Sequence, residues 1–208
     1  MENTTKAPEK GNSPKGKFSV YTIVGLGLLT AIVVVLQLFA SQIRIGGLFS
    51  ITLCLAPIAI GAALYGWKGG VWLGFAFGLV VMFTDTALFF PINPAGTIIT
   101  VMAKGMLAGL AAGLLFKPLA KKSDLFAVIV CGVVVPFVNK AIFVAGCGIF
   151  FLDTVKSWAS SAEATSVVAY LFFGMTGFNF LVELGVNLVL STAIVRIIQL
   201  GRKKLVLQ

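Results

Sequence analysis

The sequence contains no histidine. Without an imidazole, Ser-His-Asp hydrolysis, His-ligated zinc and haem, and intramembrane metalloprotease chemistry are all excluded. Charge is scarce as well: Asp, Glu, Lys and Arg make up 11% of the chain, against about 25% in soluble domains. Three cysteines (Cys54, Cys131, Cys147) sit singly in apolar runs. With no CxxC spacing they build neither a disulfide framework nor a zinc site, and Cys131 and Cys147 fall too far apart on one predicted helix to bridge. No GxxxxGK[ST] phosphate loop occurs, so the chain carries no ATPase of this type. No nucleophile lies beside a base, which disfavours a membrane enzyme. The cofactor and metal expectations are therefore none.

Hydrophobic residues fill 59% of the 208 positions, and the mean hydropathy is +1.04. One soluble core of this size cannot hide so much apolar surface, so lipid is the expected solvent. Residues 1–17 are polar, rich in Lys, Pro, Gly and Ser, and read as a disordered tail. Apolar runs long enough to span follow at 18–40, 51–65, 71–88, 97–116, 125–148 and about 166–198. A tight turn at 66–70, a Pro/Asn/Gly loop at 91–96, the connector at 117–124 and a polar loop at 151–165 separate them. The expected architecture is an all-α integral membrane bundle of six transmembrane helices over 18–200, with a basic cytoplasmic end at 201–208.

Six spans place both termini on one side. That side holds Lys6, Lys10, Lys15, Lys17, Lys68, Lys117, Lys121, Lys122, Arg196, Arg202, Lys203 and Lys204, and the other holds only Arg44 and Lys156. Twelve against two is a positive-inside pattern, so both termini are expected in the cytoplasm. The net charge of +9 is then a matter of orientation, and nucleic acid drops out as a partner.

Four ionisable residues are left in or near the spans: Asp85, Lys104, Lys140 and Glu183. A charge at the centre of a membrane helix costs at least about 2.5–3.5 kcal/mol, so each needs a partner, a wet cavity or a task. Asn179, Glu183 and Asn187 fall at i, i+4, i+8 and form one polar stripe. Asn139 precedes Lys140, and Asn93 and Thr97 mark the mouth of the fourth span. All of these converge on the outer half of the bundle. One reading is a buried ion pair of Lys140 or Lys104 with Glu183 that holds helices together. The other is an outward-facing pocket for a small anionic solute, with Arg44 on the first outer loop closing over it. Separately, Gly27 and Ala31 form a small-xxx-small pair on the first span, which allows close approach of another helix.

Residues 50–61 (SITLCLAPIAIG), 63–78 (ALYGWKGGVWLGFAFG), 96–113 (GTIITVMAKGMLAGLAAG) and 177–189 (GFNFLVELGVNLV) resemble the substrate-binding S components of energy-coupling factor (ECF) vitamin transporters. The resemblance runs from the first span to Arg196. It implies a six-helix bundle in a bacterial cell membrane with a gated outer pocket. It also implies partners: a transmembrane coupling subunit and two ABC-type ATPases, docked through small residues of helix one. The family's Ala-xxx-Ala pair maps onto Gly27 and Ala31, with Gly in place of the first Ala. The implied substrate site is Arg44, Asn93, Lys104, Asn139, Lys140, Asn179 and Glu183. The lysine bias and the overall likeness favour a pantothenate-like anion, with riboflavin, folate and pyridoxine-type solutes open. The competing readings are a self-sufficient transporter or channel, and a scaffold subunit that transports nothing.

Overall fold

The computed structural model describes residues 20–43, 52, 54–175 and 177–206, with side chains except at 178, 179, 191 and 202–206. The described residues form helices and no strands: α1 Val20–Ala40, α2 Leu55–Thr84, α3 Pro94–Ala120, α4 Asp124–Phe150, α5 Leu152–Ser161, α6 Val167–Ala169, a π-helical stretch Tyr170–Met175, and α7 Gly177–Val206. Five stretches are long and apolar enough to cross a membrane: α1, α2, α3, α4 and Val167–Leu190.

The second of these stretches folds back on itself. Gly66 has φ 74° and ψ −167°, a left-handed backbone that a residue without Cβ adopts freely. Beyond it the Leu73 side chain packs on Gly61, and Gly70 lies beside Ala62. In an uninterrupted helix residues 61 and 73 would stand about 18 Å apart. α2 is therefore two antiparallel limbs, 55–65 and 67–84, joined where sequence analysis places the turn between its second and third spans.

The outgoing limb then meets α3 along a seam of glycines. Gly70 faces Gly109, Gly74 faces Gly105, and Gly78 faces Val101 and Met102. Gly113 closes the row against Trp67. A Cβ at Gly70, Gly74, Gly105 or Gly109 would overlap the opposite backbone carbonyl, so the two backbones touch directly. Dispersion and close packing drive association where lipid tails are as apolar as the side chains. Around this seam the fully buried Leu55, Ile58, Leu73, Phe77, Phe116 and Ile198 fill the core. Val24, Leu28, Phe83, Phe137 and Val189 point outward, the arrangement expected when the surrounding solvent is lipid.

Three boundaries differ from the sequence reading. α3 begins at Pro94, because the Asn93 side chain accepts from the Gly96 N–H at 2.9 Å and proline needs no partner at the first helical position. It also runs through Pro118 to Ala120, so Lys117-Pro118 does not end it. The segment expected as a polar loop at 151–165 contains α5, whose Val155 and Ala159 are buried one turn apart, Val155 in a cluster with Phe89 and Phe151. That i, i+4 apolar pair is a helical signal hidden in polar surroundings.

Candidate functional site

The end of the bundle opposite Gly66 holds a cleft with a cavity volume of about 50 Å³. α1 contributes Gln37, the segment before α2 contributes Thr52, and the end of α2 contributes Val81, Asp85, Thr86 and Phe89. α3 supplies Thr97, Thr100, Val101 and Lys104 from its first turns. α4 supplies Lys140, Phe143 and Cys147 from its last turns, with Phe151 beyond it and Met175 from the π-helical stretch. The cleft lining thus mixes amide, hydroxyl and charged groups with aromatic and thioether ones.

Lys140 and Glu183 find each other. Lys140 Nζ lies 3.1 Å from Glu183 Oε1, and the same oxygen accepts the Thr52 backbone N–H at 2.8 Å. Glu183 is fully buried, and its second oxygen, Oε2, has no hydrogen-bond partner. The carboxylate sits behind the cleft, where it holds a lysine of α4 and the approach to α2 onto α7.

Lys104 is arranged differently. Among the described residues no carboxylate pairs with it. Its Nζ lies 5.4 Å from the centroid of the Phe143 ring and 5.9 Å from that of Phe77, within the range of cation–π attraction. Lys104 stands ten residues into α3, about 15 Å from the helix start by rise alone. The ammonium at that depth lies against two ring faces and lines the cleft.

The remaining expected site residues are scattered around this centre. The Asn93 side chain is used in capping α3. Asn139 is buried at 2% exposure, with Nδ2 unpartnered, and does not line the cleft. Arg44 lies outside the described residues, and Asn179 is placed in α7 without a described side chain. Gly27 and Ala31 are exposed on the outer face of α1, and nothing lies within 4 Å of a Cβ added at Gly27. No group of three metal-ligating side chains occurs among the described residues.

Several cleft residues escaped the sequence reading, and Gln37 and Thr100 are the two most deeply buried polar ones among them. Gln37 is buried at 1% exposure; its Nε2 donates to Asp85 Oδ2 at 2.9 Å, and its Oε1 accepts from Cys54 Sγ at 3.5 Å. Its signal is present in the sequence, for it is the single amide in an otherwise apolar helix. Thr100 is the other, and a threonine in a helix gives no such signal.

A membrane-embedded helical bundle with a half-polar cleft at one end is an architecture that suits a membrane solute-binding protein. The family model described as ECF transporter, substrate-specific component, matches residues 21–195. The chain belongs to this family: it is a multi-pass membrane subunit that binds substrate for uptake, and the family's partner ATPases hydrolyse the ATP. No curated protein matches it.

Proposed function

We propose that the protein captures a small organic anion, with pantothenate the leading candidate, from outside a bacterial cell for delivery through an ECF coupling subunit and two ABC-type ATPases. One observation supports the anionic part: Lys104 lines the cleft and makes no ion pair among the described residues, whereas Lys140 is already engaged by Glu183. The aromatic residues of the cleft support a solute with an apolar portion beside its charge. A desolvated charge-assisted hydrogen bond contributes about 1.5–3 kcal/mol, roughly ten- to a hundred-fold in affinity.

The reversal at Gly66 supports six crossings, with both termini on the cytoplasmic side. Lys117 lies against Gly66 and Lys68 is in the turn's first helical residues, so basic side chains gather at the end opposite the cleft. The cleft then opens outward, and the exposed Gly27/Ala31 face of α1 serves the coupling subunit.

Equilibrium binding of pantothenate, riboflavin, folate and pyridoxine to the purified protein and to Lys104→Met tests the reading. Pantothenate binding that weakens ten- to a hundred-fold in the mutant is the expected result. Tight binding of the uncharged pyridoxine alone, unchanged by Lys104→Met, would refute an anion site.

A further inference from the structure

Several threonines of this protein follow a common habit. Thr30, Thr84, Thr86 and Thr97 each donate their hydroxyl to the backbone carbonyl four residues earlier, at 2.6–3.1 Å. Thr100 does not. Its side chain is buried at 5% exposure, lines the cleft, and its Oγ1 has no hydrogen-bond partner. A buried hydroxyl left without a hydrogen bond is costly.

The side of Thr100 that carries the hydroxyl faces Gly146 of α4. Its Cγ2 and Oγ1 occupy the space that a Cβ at Gly146 would need. Any larger residue at that position of α4 would displace the hydroxyl. Thr100 and Lys104 also occupy successive turns of α3, about 6 Å apart along its axis, and both face the cleft.

We infer that Thr100 is the specificity-determining residue of this site: its hydroxyl completes a two-point receptor with Lys104 for acids that carry a hydroxyl or carbonyl oxygen a few bonds from the carboxylate. The inference rests on the anion site proposed above and narrows its substrate class. Lys104 takes the carboxylate. Thr100 takes the second oxygen and rejects acids that lack one, because a site built to hydrogen-bond a polar group discriminates strongly against analogues without it.

The test compares two probes, pantothenate and octanoate, an acid of similar length with no second oxygen. Isothermal titration is run on the wild type, Thr100→Val, Thr100→Ser and Lys104→Met. The wild type should prefer pantothenate. Thr100→Val keeps the shape and loses the hydroxyl, so pantothenate should bind roughly ten- to a hundred-fold more weakly while octanoate is unaffected or tighter. Thr100→Ser should retain the preference, and Lys104→Met should weaken both acids. The unliganded Thr100→Val protein should melt no lower than the wild type, since the hydroxyl has no partner to lose, which separates recognition from folding. Equal weakening of both acids by Thr100→Val, or no weakening of either, overturns the inference while leaving the anion site standing. A wild type that binds neither acid overturns the anion reading, and this inference falls with it.

Discussion

At the scale of single residues, the two intramembrane lysines separate by their partners. Lys140 belongs to a pair, and breaking a buried pair costs more than removing it whole, because one charge is left uncompensated. Glu183→Gln strands Lys140, and Lys140→Met strands a carboxylate whose Oε2 is already unpartnered. Each single change should lower thermal stability in detergent, by an amount on the order of 3–5 kcal/mol. The double change should recover most of that loss. A double mutant as unstable as the sum of the singles would show that the two residues act apart. Lys104→Met should cost less than either change to the pair, since Lys104 makes no ion pair among the described residues and lies against two ring faces. The cost of these charges was legible from their place in apolar runs, but their pairing was not. Lys104 and Lys140 look alike in sequence, and only the rotation of α3 and α4 decides which lysine meets α7. Thr100 was illegible for a related reason: sequence shows a hydroxyl but not whether its own backbone satisfies it.

Among elements, the glycines divide into those that hold the bundle and those that do not. A Cβ at Gly105 would run into the Gly74 carbonyl, whereas one at Gly148 meets nothing within 4 Å. Gly105→Ala should therefore push α2 and α3 apart and cost at least about 1–3 kcal/mol, the range for overpacking. Gly148→Ala should stabilise α4 by up to about 1 kcal/mol, the intrinsic helix preference of alanine. Unfolding followed by circular dichroism in detergent ranks the two, and the opposite order would deny the seam its role. The turn at Gly66 and the long apolar helices could be read directly from the sequence, because glycine clusters and hydropathy are local signals. The pairing of Gly70 and Gly74 with Gly109 and Gly105 could not. Small-xxx-small spacing recurs through this chain, and spacing alone does not say which helix stands opposite. α5 was missed because its two buried positions are too few to stand out among the polar residues around them.

The whole molecule has two unlike ends, and sidedness follows from which faces the cytoplasm. In Lys121→Cys and Ser160→Cys variants, an impermeant thiol reagent added to intact cells should label position 160 and spare position 121. Cys54, Cys131 and Cys147 are buried and add little background. Reversed labelling would invert the topology and turn the cleft inward. The lateral face of α1 poses the last question. Only Val33, Gln37 and Ala40 of this helix are buried, while Tyr21, Val24, Leu28, Val35 and Phe39 are exposed. Gly27 and Ala31 lie one turn apart on that outer surface. Gly25, by contrast, packs inward against Tyr65. If the Gly27/Ala31 surface meets the coupling subunit by close backbone approach, Gly27→Leu fills the groove from outside without touching the bundle. Uptake in cells should then fall to background, while pantothenate affinity and melting temperature of the purified protein stay at wild-type values. Gly25→Leu should do the reverse and destabilise the isolated protein, because its side chain would collide with Tyr65. Wild-type uptake by Gly27→Leu would place the docking face elsewhere on the bundle.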